Sequence, residues 1–143
     1  MDINQEFDRQ VATLIDKGYS QFAQLSEDDF KSELESLREK LPESNGAEID
    51  LEKGTLPFVL VVKSSLVSSD QAMGIVEKDG KQGITKLFPH EPTDFNTIAE
   101  VEIPASSMYL LIDIDRGKEN INLPPNKAMD LIKESGRSPL TID

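Results

Sequence analysis

Residues 109–117 read YLLIDIDRG, an apolar run in which two aspartates precede an Arg-Gly pair. A second run, LPFVLVV at residues 56–62, is rich in β-branched side chains and is entered through a proline. Both runs have the composition of strands that are buried on two faces. We therefore predict that strands at 57–62 and 109–115 are neighbours in one sheet.

The first 42 residues have the periodicity of two amphipathic helices. Ser26 and Asp29 resemble a capping box at the start of the second helix, and Pro42 ends its apolar pattern. The short connection between the helices favours a packed pair. We predict a helical hairpin over residues 1–42. Its apolar stripes contain Ile3, Phe7, Val11, Leu14, Ile15, Phe30, Leu34, Leu37 and Leu41.

Three segments outside the two apolar strands carry loop, hairpin and edge-strand signals. Residues 43–55 are acidic and contain two glycines, which predicts a loop. Asp79-Gly80 is a strong hairpin signal. IAEVEI at 98–103 alternates apolar and acidic residues, which is typical of an edge strand with one wet face.

A carboxyl-terminal helix completes the predicted fold. Asn122 is a candidate cap, Gly136 stands just past the helix end, and the helix itself spans about 124–135. The predicted class is α+β, with a single domain over 1–143. In it the hairpin packs on a small mixed β-sheet in the part 56–143, and the last helix covers that sheet.

Composition excludes several classes of protein. The 143 residues include 15 basic and 27 acidic side chains, a net charge of −12 that opposes nucleic-acid binding. The chain has no cysteine, which excludes disulfides and thiolate metal sites. The amino terminus lacks the apolar stretch of a secretory signal, and the apolar runs are too short to span a membrane. We predict a cytoplasmic protein that binds neither nucleic acid nor membrane.

Asp113 and Asp115 are the candidate metal ligands. In an extended strand they share one face and stand at its carboxyl end, an arrangement that suits a hard cation such as Mg²⁺. The alternative is that they only end the strand and accept backbone hydrogen bonds in the turn at Gly117. The second interpretation is the stronger, because no third acid at fixed spacing accompanies the pair.

Arg116 and Arg137 flank the last helix and are candidates for joint anion binding. The alternative is that they pair with nearby acids, namely Asp113, Asp115 or Glu134. His90, the single histidine, lies in a loop without a partner at metal spacing. Nucleotide-binding glycine motifs and a nucleophile elbow are absent from the sequence, so no cofactor is predicted.

Four segments together resemble an uncharacterised family of small bacterial proteins, a domain of unknown function. They are EFDRQVATLIDKGY (6–19), LPFVLVV (56–62), YLLIDIDRG (109–117) and GRSPLTID (136–143). The family pattern continues past the last segment into another helix and an aromatic-rich tail, which this sequence lacks. The resemblance implies a bacterial, cytoplasmic protein and supplies no activity.

Three functions remain open. We favour a non-enzymatic module whose acidic helical face or sheet edge binds another protein. The alternatives are an inhibitor or immunity-type protein that masks a basic partner, and a metal-dependent enzyme that uses Asp113 and Asp115. Homodimer formation is also compatible with the sequence.

Overall fold

The computed structural model describes residues 2–43, 49–50 and 52–141. The helices are α1 (Ile3–Asp16), α2 (Tyr19–Phe22), α3 (Glu27–Glu35), α4 (Ser69–Ile75) and α5 (Pro125–Glu134). The strands are β1 (Thr55–Val62), β2 (Glu77–Lys78), β3 (Lys81–Gln82) and β4 (Met108–Asp115). Short 3₁₀ helices span Arg38–Lys40, Pro92–Asp94 and Lys118–Asn120. The α+β class predicted from the sequence is confirmed.

β1 and β4 form the central pair, as predicted, and they run antiparallel. Leu60 lies opposite Leu110 and Phe58 opposite Ile112. One face of this pair contributes buried side chains to the core, whereas the end near Ile112 stays half exposed. The expectation that both strands are buried on both faces is therefore wrong at the carboxyl end of β4.

The helices α1 and α3 begin at residues whose side chains cap them. Asp2 caps α1 by accepting a hydrogen bond from the Asn4 amide at 2.8 Å, and Ser26 caps α3 by accepting one from the Asp29 amide at 3.1 Å. The apolar stripes of α1 and α3 pack against β1 and β4. The buried core consists of Ile3, Phe7, Val11, Ala23, Phe30, Leu34, Leu37, Phe58, Leu60, Val67 and Met108.

Arg38, just after α3, contacts residues of both α1 and α3. Its guanidinium lies 4.3 Å from the centre of the Phe7 ring, pairs with Asp8 at 2.5 Å and also pairs with Glu35. The hydrogen bonds that Arg38 donates to the carboxylates of Glu35 and Asp8 raise the pKa of Arg38. This contact joins α1 to the turn that follows α3.

The predicted edge strand at 98–103 is wrong. The backbone there is irregular, and the Val101 amide donates to the Ile98 carbonyl at 3.0 Å, which closes a turn instead of joining a ladder. The mixed sheet is corrected accordingly, because the strands in the described residues form two antiparallel pairs, β1 with β4 and β2 with β3. The β2–β3 pair brackets Asp79-Gly80 and confirms the hairpin prediction.

The predicted carboxyl-terminal helix is present as α5. Its cap is Pro124, not Asn122, and Gly136 just past its end has φ +71° with its amide bonded to the Lys133 carbonyl at 3.0 Å. No residue of α5 is buried, so this helix does not cover the sheet. Much of the predicted loop at 43–55, and the end of the GRSPLTID segment, lie outside the described residues.

Candidate functional site

A groove of about 960 Å³ lies between the carboxyl end of β4 and α5, within the size range of ligand sites. We call it the β4–α5 groove. Its lining comprises residues 111–117, Glu119, Asn120, Leu131, Ile132 and 135–140. The four candidate site residues from the sequence, Asp113, Asp115, Arg116 and Arg137, are therefore brought together here.

Asp113 and Arg137 form the main polar contact of the groove. Arg137 Nη1 lies 2.5 Å from Asp113 Oδ2, and Arg137 Nη2 donates to the Asp113 backbone carbonyl. The carboxylate of Asp113 thus has a cationic partner. We call this double contact the Asp113–Arg137 clamp.

The sheet explains why the Asp113 carbonyl is available to Arg137. The register pairs Leu56 with Ile114 and Phe58 with Ile112, which leaves Asp113 facing Pro57, and proline has no amide hydrogen to donate across the ladder. Asp113 also has φ +56°, a left-handed conformation that aspartate tolerates better than most residues. The ladder is interrupted at this position, and Arg137 supplies the donor that Pro57 lacks.

The end of α5 places Arg137 at this point. Gly136 adopts the left-handed conformation that ends the helix, and the Arg137 amide then bonds to the Ile132 carbonyl at 3.1 Å. This arrangement turns the chain back toward β4. The clamp consequently joins the end of α5 to the interruption in the sheet.

Asp115 and Arg116 are held mainly through backbone contacts. Asp115 Oδ1 accepts a hydrogen bond from the Gly117 amide at 2.8 Å, which is the turn contact expected if the aspartate ends a strand. The Arg116 amide donates to the Gly54 carbonyl at 3.0 Å, and a Cβ on Gly54 would collide with Arg116 Cδ. Among the described residues, the Arg116 guanidinium forms no ion pair.

The metal and anion assignments remain predictions. Within the described ranges, no three His, Cys, Asp or Glu side chains are arranged to hold a metal ion. Asp113 carries a guanidinium partner, which opposes the approach of a cation. His90 lies outside the groove, 3.6 Å from Asp94, with its ring edge-on to Phe95.

Apolar side chains inside the groove are exposed. Ile112 on β4 is 50% exposed, Leu131 on α5 is 48% exposed and Leu140 is 60% exposed. Carboxylates of Asp115 and Glu119 lie in the same lining. The groove thus combines apolar surface with acidic groups, a combination that suits a polypeptide better than a small metal complex.

The outer edge of β4 is a further feature, which sequence patterns did not identify. In β1, the Leu60 amide donates to the Gln10 side chain at 2.8 Å and the Phe58 carbonyl accepts from it at 3.3 Å. These backbone groups therefore point away from β4. Leu60 is opposite Leu110, and Phe58 is opposite Ile112. When one residue of an antiparallel pair points its N–H and C=O groups away from the partner strand, the opposed residue does the same. The backbone groups of Leu110 and Ile112 therefore point away from β1.

Gln10 is itself fixed by a buried acid on α1. The side-chain amide of Gln10 donates to the Glu6 carboxylate at 2.9 Å. Arg9 donates to the same carboxylate through two nitrogens, at 2.6 and 2.7 Å. The hydrogen bond from Arg9 lowers the pKa of Glu6, although burial opposes it. Gln10 is thereby held against the outer edge of β1 and closes it.

The fold and the groove define an acidic α+β protein with two paired apolar strands and a helix-flanked groove. The chain matches the group described as Family of unknown function (DUF5701) over residues 13–143, and it belongs to that family. The resemblance noted from the four sequence segments is thus confirmed at the level of the family. No curated protein and no solved structure matches the chain. In the described residues, no helix is long and apolar enough to cross a membrane.

Proposed function

We propose that the protein is a non-enzymatic interaction module of the bacterial cytoplasm, which binds a positively charged partner protein through the β4–α5 groove. The observation that carries this proposal is the exposure of Ile112, Leu131 and Leu140 in a groove whose lining also contains the acidic residues Asp115 and Glu119. Apolar patches rimmed by polar groups commonly mark protein-binding surfaces.

Charge selects the kind of partner. The clamp neutralises Asp113 against Arg137, which leaves Asp115 and Glu119 against Arg116 in the groove. The whole chain carries −12, so its field attracts a basic partner and repels an acidic one. Salt weakens the association by screening these charges.

The proposal is tested by capturing partners from a bacterial lysate with two variants that carry the same substitution, isoleucine to lysine, at different places on the surface. Ile112→Lys places a charge in the groove, and Ile98→Lys places one on a similarly exposed isoleucine outside it, which is 46% exposed. We expect the wild type and Ile98→Lys to retain the same basic proteins, and Ile112→Lys to lose them. Equal capture by both variants would exclude the groove as the binding surface.

A salt series on the same samples separates specific from general charge effects. We expect capture to fall as ionic strength rises. Asp115→Asn and Glu119→Gln should weaken capture further while leaving the apolar lining intact. If captured proteins are not enriched in basic residues, the proposed partner chemistry is wrong.

A further inference from the structure

We infer that the partner binds as an added β-strand along the outer edge of β4, an inference that rests on the proposed function and specifies its geometry. The occupant is an extended segment of another protein that combines apolar and basic residues. Strand addition of this kind uses main-chain hydrogen bonds for binding and side-chain contacts for selectivity.

The first step concerns the backbone groups of Leu110 and Ile112. Both residues occupy positions whose N–H and C=O groups point away from β1. Within the part of the chain that the structure describes, no hydrogen bond reaches these groups from a helix, loop or side chain. The two N–H donors and two C=O acceptors of Leu110 and Ile112 are therefore available to pair with an added strand.

The second step is the difference between the two edges of the sheet. On β1 the equivalent groups of Phe58 and Leu60 are occupied by Gln10. Natural sheets commonly protect exposed edges with lysine, proline, bulges or covering segments. The apolar run of β4 has no lysine or proline, and in residues 2–43, 49–50 and 52–141 no segment hydrogen-bonds to Leu110 or Ile112 at its outer edge, whereas Gln10 closes the opposite edge.

The third step identifies the occupant by its chemistry. Side chains of an added strand would contact Ile112, which is half exposed, and basic residues near the strand end would meet Asp115 and Glu119. A second copy of this chain brings another −12 to the same interface. Charge complementarity therefore favours a basic segment of another protein over self-association.

The test uses short synthetic peptides and the intact chain, observed by NMR. One peptide alternates valine and lysine, a second alternates valine and glutamate, and a third is the valine–lysine peptide with methylated inner backbone nitrogens. We expect the first to bind and to protect the Leu110 and Ile112 amides from hydrogen exchange. The second and third peptides should bind about tenfold more weakly or not at all.

Two substitutions at one position supply the matched protein control. Ile112→Pro removes an outward N–H without removing a ladder hydrogen bond, whereas Ile112→Val keeps that N–H. We expect Ile112→Val to bind the valine–lysine peptide as the wild type does, and Ile112→Pro to lose about tenfold in affinity. The methylated peptide preserves the test if Ile112→Pro does not fold.

The outcomes distinguish this inference from the proposed function. If the valine–lysine peptide and its methylated form bind equally, strand addition is wrong, while recognition of a basic segment stands. If neither basic peptide binds and Ile112→Lys captures the same proteins as the wild type, both proposals fail. If the protein alone forms dimers that Ile112→Pro abolishes, the occupant is a second copy and the assignment of a basic partner is overturned.

Discussion

Replacing Arg137 by alanine should release α5 from the sheet. No residue of α5 is buried, so the helix gains little stability from packing, and the Asp113–Arg137 clamp is its clearest polar contact with β4. An exposed ion pair contributes about 0.2–1 kcal/mol, and Asp113 is 78% exposed in its side chain. The hydrogen bond from the charged guanidinium to the Asp113 carbonyl contributes about 1 kcal/mol more after allowance for solvent.

The sum of these two contributions is about 1–2 kcal/mol, which corresponds to a factor of about 5–30 in an opening equilibrium. Because α5 is attached at the surface, we expect most of this loss to appear as local opening. Amide exchange in α5 should accelerate by that factor in Arg137→Ala. The thermal midpoint of the whole chain should fall by only a few degrees, about 2–4 °C for each kcal/mol that reaches the global transition.

Arg116→Ala is the control, because its guanidinium lines the same groove but forms no ion pair within the described residues. Its effect on α5 exchange should be within about 0.5 kcal/mol. Arg137→Lys keeps the charge but lacks the planar fork that contacts carboxylate and carbonyl together, so its effect on α5 exchange should lie between those of the wild type and Arg137→Ala. Unchanged α5 exchange in Arg137→Ala would refute the assignment of the clamp as the attachment of this helix.

Three other measurements test the fold and the predicted sites. Phe30 is fully buried, so Phe30→Ala should lower the free energy of unfolding by about 3–5 kcal/mol in urea denaturation, and a loss below about 1 kcal/mol would contradict its central position. The folded pKa of Glu6 is lowered, so its contribution to stability is present above the unfolded value near 4.5 and is lost as pH falls through the folded value. Glu6→Gln should therefore flatten the acid limb of the stability profile, and an identical profile would show that Glu6 does not titrate in this way. Mg²⁺ should not raise the thermal midpoint, because Asp113 is paired with Arg137 and Asp115 accepts a backbone amide; a saturable rise that Asp113→Asn abolishes would establish the metal site instead.

Sequence patterns predicted those parts of the fold that local chemistry determines. The Ser26 cap, the helix end at Gly136 and the Asp79-Gly80 hairpin each depend on residues within one turn of the feature. The pairing of β1 with β4 followed from the two strongest apolar runs. Each of these features depends on the residue types within one short segment or on the overall hydrophobicity of a run.

The prediction of an edge strand at 98–103 was wrong for a reason that the alternation of apolar and acidic residues cannot show. A strand needs a hydrogen-bonded partner strand, whereas in this segment the Val101 amide donates to the Ile98 carbonyl and closes a turn, which the alternation of apolar and acidic residues does not encode. Similarly, the sequence offered Asp113, Asp115 and Glu134 as acids with which Arg116 or Arg137 could pair, but it did not select among them. The contact of Arg137 with Asp113 depends on the register that sets Asp113 opposite Pro57, and register is a property of the folded pair of strands.

The left-handed conformation of Asp113 limits the length of the open edge on β4, and this limit determines how strongly a strand can bind there. Beyond Ile112 the extended backbone is interrupted at Asp113, which has φ +56°, and before Leu110 the Met108 carbonyl accepts from the Ser106 hydroxyl, so the regular edge presents the backbone groups of Leu110 and Ile112. Four hydrogen bonds at about 1 kcal/mol each correspond to a Kd near 1 mM before the entropic cost of association. Main-chain pairing alone is therefore too weak for a stable complex. Tighter binding requires the exposed apolar lining and the carboxylates of the β4–α5 groove, so edge and groove must act on the same bound segment.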